Sequence, residues 1–284
     1  EYAELKDQGY AMNAQIGKEG AEAAFESYLK GTDGTRVTTV SSTGQVLEEY
    51  YLSEPSAGGN VYLTIDIGLE EAMEKALADA IESLRAGSLS SGEGTDAAGG
   101  AAVAINVNTG ELLGAASYPS FDLSTYSAMF NELNADEYAP LYNRFLSANP
   151  PGSTYKMVTT IAAIDSGVIN ANTTIEDKGR YEYYETYQPT CLLFSRYGLT
   201  HGTINVMQAL AASCNYYFYD VGRRTGIQNI DAVAKALGLG ESTGIELPES
   251  TGSRDNPEYR RAHGSDWYDG TTLAVSIGQG DNAF

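Results

Sequence analysis

The chain has 284 residues, 42% of them apolar, a globular proportion that excludes disorder throughout and allows one large core or two domains. With 17 Lys and Arg against 38 Asp and Glu, its formal charge of −21 makes nucleic acid and anionic lipid poor partners. No window approaches the ~18 consecutive apolar residues of a membrane span, and the chain opens on Glu1-Tyr2-Ala3 with no signal sequence.

Residues 1–58 predict a helix over about Gly20–Leu29 and then a hairpin. Arg36–Val40 and Gln45–Leu47 flank Ser41–Gly44, which holds turn residues. Pro55–Gly59 marks a boundary. Val61–Ile65 is expected as a short strand, and Asp66 as the N-cap of a helix over Gly68–Leu84. That helix places Leu69, Met73, Ala76, Leu77, Ala80, Ile81 and Leu84 on one face. Ala86–Gly100, rich in Gly, Ser and Ala, predicts a surface loop. Ala101–Val107 and Glu111–Ser117 bracket Asn108-Thr109-Gly110, a second hairpin whose first strand is apolar on both faces, as a central strand would be. Residues 118–152 are expected to be irregular.

The chain's organising stretch is Asn149-Pro150-Pro151-Gly152-Ser153-Thr154-Tyr155-Lys156-Met157-Val158. A Pro-Pro-Gly turn feeds a helix-periodic apolar run, so Ser153 falls in a first helical turn with Lys156 on the same face. A serine hydroxyl needs a nearby base to act as a nucleophile. A lysine sunk among apolar neighbours supplies one, because burial penalises its charged form. The helix start adds backbone N–H and the positive dipole end where an oxyanion would form. Spacing alone is weak evidence, since Ser27-Tyr28-Leu29-Lys30 has it too, without the turn.

Downstream, Thr173–Gly198 carries Tyr181, Tyr183, Tyr184 and Tyr187 and reads as a loop or hairpin packed on the domain, with a substrate groove as the other reading. Residues 203–212 and 216–224 predict two helices joined at Ser213-Cys214-Asn215, and Ile230–Leu237 a third, closed by Gly238. Ser213-x-Asn215 also has a double, Ser147-Ala148-Asn149. Ser-x-x-Lys followed by Ser-x-Asn, in that order, is similar to the pair shared by penicillin-binding proteins and class A β-lactamases.

On those residues the chain resembles the class B penicillin-binding proteins, peptidoglycan DD-transpeptidases. The resemblance extends to Gly17–Glu22, Leu63–Asp66, Ala102–Glu111, Asn143-Arg144, Gly244–Pro248 and Ser276–Gly280. It implies an α+β transpeptidase fold of the serine β-lactamase kind, an antiparallel sheet plus a helical subdomain, over residues 59–284. Residues 1–58 would be the end of a non-catalytic linker or dimerisation-type region. The family's third motif, Lys-Thr-Gly or Lys-Ser-Gly on a strand, is absent; Arg224-Thr225-Gly226 reads as a helix C-terminus. The expectation is a piece of a longer chain, lacking that strand and an N-terminal membrane anchor on the extracytoplasmic face.

By resemblance, Ser153 attacks the penultimate D-Ala carbonyl of a stem peptide, Lys156 takes its proton, and Ser213 relays a proton to the leaving amine. Asn215 holds the acyl side-chain amide and contacts Lys156. One oxyanion donor is the Ser153 N–H and the other lies on the absent strand. The implied partners are D-Ala-D-Ala stem peptides, β-lactams as covalent inhibitors and a membrane glycosyltransferase of the elongation or division machinery; no cofactor or metal is expected. A β-lactamase or β-lactam sensor of the same fold, or a non-catalytic scaffold, are the alternatives. His201 and His263 lie in loop-like contexts with no Asp in a triad pattern. Cys191 and Cys214, too few for a disulfide framework and without metal-ligand spacing, read as buried thiols or a single bridge.

Overall fold

Two compact units make up the computed structural model, which describes residues 5–6, 9–89 and 93–284. The first comprises residues 1–120 with 246–248, the second residues 121–245 with 249–284.

In the first unit, short helices Gly20–Ala24 and Glu26–Leu29 stand where one was predicted. The strands β1 (Thr35–Val40) and β2 (Val46–Ser53) form the predicted antiparallel hairpin, almost wholly exposed. Asp66 caps the helix Ile67–Arg85 as expected, its carboxylate accepting from the Leu69 N–H at 3.0 Å. Val61–Ile65 is not a strand. The chain there meets its neighbour through isolated bonds, such as Asp66 N to Leu113 O at 2.9 Å, and no ladder forms.

The second hairpin is present as β3 (Gly100–Ile105) and β4 (Leu112–Tyr118). The Ile67–Arg85 helix lies on it, with Glu70 accepting the Ala115 N–H at 2.7 Å and Leu77 and Ile81 against Gly100. β3 is not apolar-buried on both faces: burial alternates, leaving Val103 and Ile105 exposed, and β4 is its one partner strand among the described residues.

The second unit is built on the helix Lys156–Asp165, which buries Val158, Thr159, Ala162 and Ala163. It packs against Asn215–Thr225 and Ile227–Ala236. Asn215–Thr225 runs through the core, with Tyr217, Phe218 and Val221 fully buried and Gly222 in close contact with Ser276. Arg224-Thr225-Gly226 ends this helix, Gly226 sitting at φ 77.

Several elements escaped the sequence reading, among them two helices and two strands. Residues 126–135 form a helix inside the stretch expected to be irregular. Leu192–Tyr197 is a helix beyond the tyrosine cluster. Asn205 ends a strand before it starts a helix: β5 (Thr174–Asp177) pairs antiparallel with β6 (Gly202–Asn205), and the Asn205–Gln208 capping box opens Val206–Ala211. Among the tyrosines, Tyr181 is buried against Tyr216 and Tyr219, whereas Tyr183 is exposed. This agrees with packing on the domain.

The Ser276–Asn282 segment is held by a buried ion pair. Asp255, 1% exposed, takes both forks of Arg260 at 2.6 and 2.7 Å and also accepts the Asp281 N–H at 2.9 Å. Arg260→Met would leave a buried carboxylate without its counter-charge. We expect a loss of about 3–5 kcal/mol in urea unfolding, recovered in large part by Asp255→Asn in the same chain.

Candidate active site

Gly152–Tyr155 forms a single 3-10 turn leading into the Lys156–Asp165 helix, so Ser153 stands at the helix start as predicted. Both sides of the turn are pinned. Gly152 N donates to Gly278 O at 3.1 Å, and Asn149 pairs its backbone with Phe284 at 2.7 and 2.9 Å while Tyr155 stacks on the Phe284 ring.

Ser153 is exposed and Lys156, one turn later, is 1% exposed. Lys156 Nζ donates to Asn215 Oδ1 at 2.6 Å, to Ser213 O at 2.8 Å and to Ser213 Oγ at 2.9 Å. Ser213 Oγ in turn donates to Ser153 Oγ at 3.0 Å. The second serine hydroxyl thus sits between amine and nucleophile, a link the sequence reading had assigned to direct contact. Burial pushes the Lys156 amine down to about 8. Ser213 is a non-glycine residue at φ 50, a conformation held by the turn between its two helices.

The look-alike motifs have no such surroundings. Lys30 lies over the Tyr10 ring at 3.2 Å, and Ser147 and Asn149 spend their side chains on local backbone carbonyls. The four predicted residues therefore converge in one place, at a crevice of 410 Å³ whose lining includes Ser153, Ser213, Asn215, Gln279, Arg196 and Tyr197.

His201 departs from its prediction. It does have an Asp partner: Asp177 Oδ2 lies 2.7 Å from Nδ1 and accepts the His201 N–H at 3.0 Å, because β5 and β6 pair these distant residues. Cys191 Sγ lies 3.7 Å from the same ring nitrogen. Burial alone would raise Asp177, but hydrogen bonds from the His201 and Gly179 N–H groups and the His201 ring outweigh it and hold the carboxyl below its ordinary range.

Cys214, between Ser213 and Asn215, completes a cluster in which one donor atom each of Asp177, Cys191, His201 and Cys214 lies within 4.8 Å of the rest. The spacing of Cys191 and Cys214 in sequence has no metal-ligand pattern; the fold brings Asp177 and His201 to them. Two thiolates on one zinc ion at ~2.3 Å each would stand ~3.8 Å apart. The observed sulfur separation of 4.0 Å fits, and two sulfurs, an imidazole and a carboxylate are a borderline-soft donor set. Among the described residues these four are the ones whose donor atoms could share one zinc ion, beside the Ser213–Asn215 turn.

Comparison with known proteins follows the same outline. The penicillin binding protein transpeptidase domain matches residues 100–283, and the penicillin-binding protein dimerisation domain matches residues 1–63. The chain belongs to the penicillin-binding protein transpeptidase family. Peptidoglycan D,D-transpeptidase MrdA of Acinetobacter baumannii is 32% identical over 95% of this chain and 38% of its own length. The Escherichia coli K12 protein of that name is also 32% identical, over 95% of this chain and 41% of its own. This chain therefore spans about two fifths of the relatives it matches.

Among solved structures, a peptidoglycan synthase complex coordinating polymerization and crosslinking has a chain 33% identical with a TM-score of 0.85, over 99% of this chain and 49% of that one. Pseudomonas aeruginosa PBP2 bound to WCK 5153 is 28% identical at a TM-score of 0.72, over 96% and 54%. Helicobacter pylori PBP2 in complex with MreC is 27% identical at 0.78, over 99% and 50%. The α+β transpeptidase fold is thus that of the family.

Proposed function

We propose that this chain belongs to a peptidoglycan DD-transpeptidase that cross-links stem peptides through an acyl-enzyme on Ser153. The observation that carries the proposal is the hydrogen-bonded line Lys156–Ser213–Ser153 opening onto the crevice. With Lys156 neutral, Ser213 passes its proton to Nζ as it takes the Ser153 proton, and Ser153 Oγ attacks the penultimate D-Ala carbonyl. The tetrahedral oxyanion lies by the Ser153 N–H at the helix start. Collapse returns the proton through Ser213 to the leaving amine, D-Ala departs, and the amine of a second stem peptide takes the acyl group.

Asn215, anchored on Lys156, orients the donor peptide's amide. A β-lactam opens on the same serine. In this reading residues 1–58 are the end of a dimerisation-type region and residues 59–284 belong to the transpeptidase domain. The protein works at the extracytoplasmic membrane face beside a glycan-polymerising partner. Among the described residues no helix is long and apolar enough to cross a membrane.

In the full-length protein, Ser153→Ala is expected to abolish covalent labelling by fluorescent penicillin, while Ser27→Ala labels normally. Equal labelling of the Ser153 variant would refute the assignment. A labelled wild type that released its adduct within seconds and turned over nitrocefin would favour a β-lactamase.

A further inference from the structure

The acyl-transfer line leaves one motif beside the nucleophile unused, Gly278-Gln279-Gly280, whose middle residue lines the crevice with Ser153 and Asn215. The backbone on either side of Gln279 is fixed. Gln279 N donates to Ala274 O at 3.0 Å, and Gly278 O accepts the Gly152 N–H at 3.1 Å. The carbonyl of the buried Ser276 accepts the Thr159 hydroxyl, from the helix Lys156–Asp165, at 2.8 Å. Gly278 and Gly280 stand at φ 75 and 79, and a Cβ on Gly280 would strike the Asp255 carboxylate. The polar side chains of Ser276, Asp281 and Asn282 are engaged with Phe218 O, Arg260 and the Asp255 N–H. Gln279 differs. It is exposed, and its carboxamide has no partner among the described residues. A donor and an acceptor thus stand on a rigid support at the nucleophile, with no protein bond to break when they take a ligand. A carboxamide carries no charge and mirrors a peptide group, so main chain suits it better than an ionised side chain.

We propose that Gln279 is a substrate-binding residue that holds the peptide group on the N-terminal side of the stem peptide's third residue, and so selects longer acyl donors over truncated ones. This rests on the acyl-transfer reading, which fixes the order of the main-chain groups. The Ser153 N–H takes the reacting carbonyl of the penultimate D-Ala, and Asn215 takes the amide that joins this D-Ala to the third residue. Asn215 already gives its Oδ1 to Lys156 at 2.6 Å, so what it chiefly offers the peptide is N–H. The next peptide group along the chain is the first left without a partner, and it presents both N–H and C=O. Gln279 Oε1 accepts that N–H and its Nε2 donates to that carbonyl. Because the support is preorganised, little ordering cost is set against the two bonds.

The test uses full-length protein and two thioglycolate thioesters as acyl donors, acetyl-D-Ala and Nα,Nε-diacetyl-L-lysyl-D-Ala, of which the second alone carries the peptide group in question. Values of kcat/KM for both are read in the wild type and in Gln279→Ala, with fluorescent-penicillin labelling of the same samples. The wild type should prefer the longer donor by roughly thirtyfold, two neutral hydrogen bonds at about fivefold each. In Gln279→Ala that preference should fall below about threefold, mainly through a higher KM for the longer donor, as expected when binding common to ground and transition states is removed. A loop merely loosened by the substitution would slow both donors alike and leave their ratio where it was. An undiminished preference in Gln279→Ala, or no preference in the wild type, would overturn the proposal. Wild-type protein that neither labels with penicillin nor turns over either thioester would instead sink the acyl-transfer reading, and the role of Gln279 with it.

Discussion

Lys156→Met is expected to cut the rate of penicillin acylation by about 10³-fold or more while leaving the fold intact. General-base assistance is worth roughly 10²–10⁴-fold, and here a single amine feeds both serine hydroxyls. The fold should survive because the site disfavours the ammonium it removes: burial holds Lys156 down to about 8, from an ordinary value of 10.5. Its folded value lies below its unfolded one, so the charged form opposes folding. That cost is fully present below pH 8, shrinks as pH rises from 8 towards 10.5 and is gone above it. The wild-type acylation rate should accordingly rise about tenfold per pH unit below pH 8 and level off above it, as the neutral amine becomes the dominant form. Stopped-flow acylation between pH 6 and 9.5 reads this directly. A flat profile, or a Lys156→Met variant within tenfold of wild type, would remove Lys156 from the role of base.

Local chemistry was the part of this molecule that could be read from letters. The Pro-Pro-Gly turn before an apolar periodic run marks the nucleophile helix, Asp66 announces a cap, and Gly226 closes a helix. Each depends on neighbours within a few residues. What stayed hidden depends on pairing at a distance. β5 and β6 are four residues each and separated by a loop and a helix, so neither has a pattern long enough to declare itself. Without that pairing, Asp177 and His201 look unrelated, and so does the four-donor cluster. The helix Tyr126–Ala135 buries no residue and so carries no core stripe to detect. Val61–Ile65 failed the other way: its residues suit a strand, yet strand identity needs a ladder partner, which sequence cannot supply. The line Lys156–Ser213–Ser153 was half legible, its members named by motif and its order set by the strained turn at Ser213.

That order is maintained from behind by a glycine, and Gly278→Ala should show it. Gly278 sits at φ 75, and a Cβ there would run into the Gly152 carbonyl oxygen and lie 2.8 Å from Tyr155 Cβ. The obstructing atoms are backbone and the base of a buried side chain, so the nucleophile turn itself has to move. The left-handed conformation alone costs an alanine about 1–2 kcal/mol. Displacing Ser153 by a fraction of an ångström from Ser213 adds a kinetic loss, since misplacement near 1 Å costs on the order of 10²-fold. We expect Gly278→Ala to acylate about 10²-fold more slowly, with a fall in Tm of several degrees. Gly238→Ala separates the two effects. Gly238 has a similar φ of 82, but nothing lies within 4 Å of its added Cβ. That variant should lose the stability and keep the acylation rate. Equal kinetic losses in both variants would mean that global destabilisation, and no contact behind the nucleophile, sets the rate; no kinetic loss in Gly278→Ala would mean that Ser153 keeps its alignment without the Gly152–Gly278 packing.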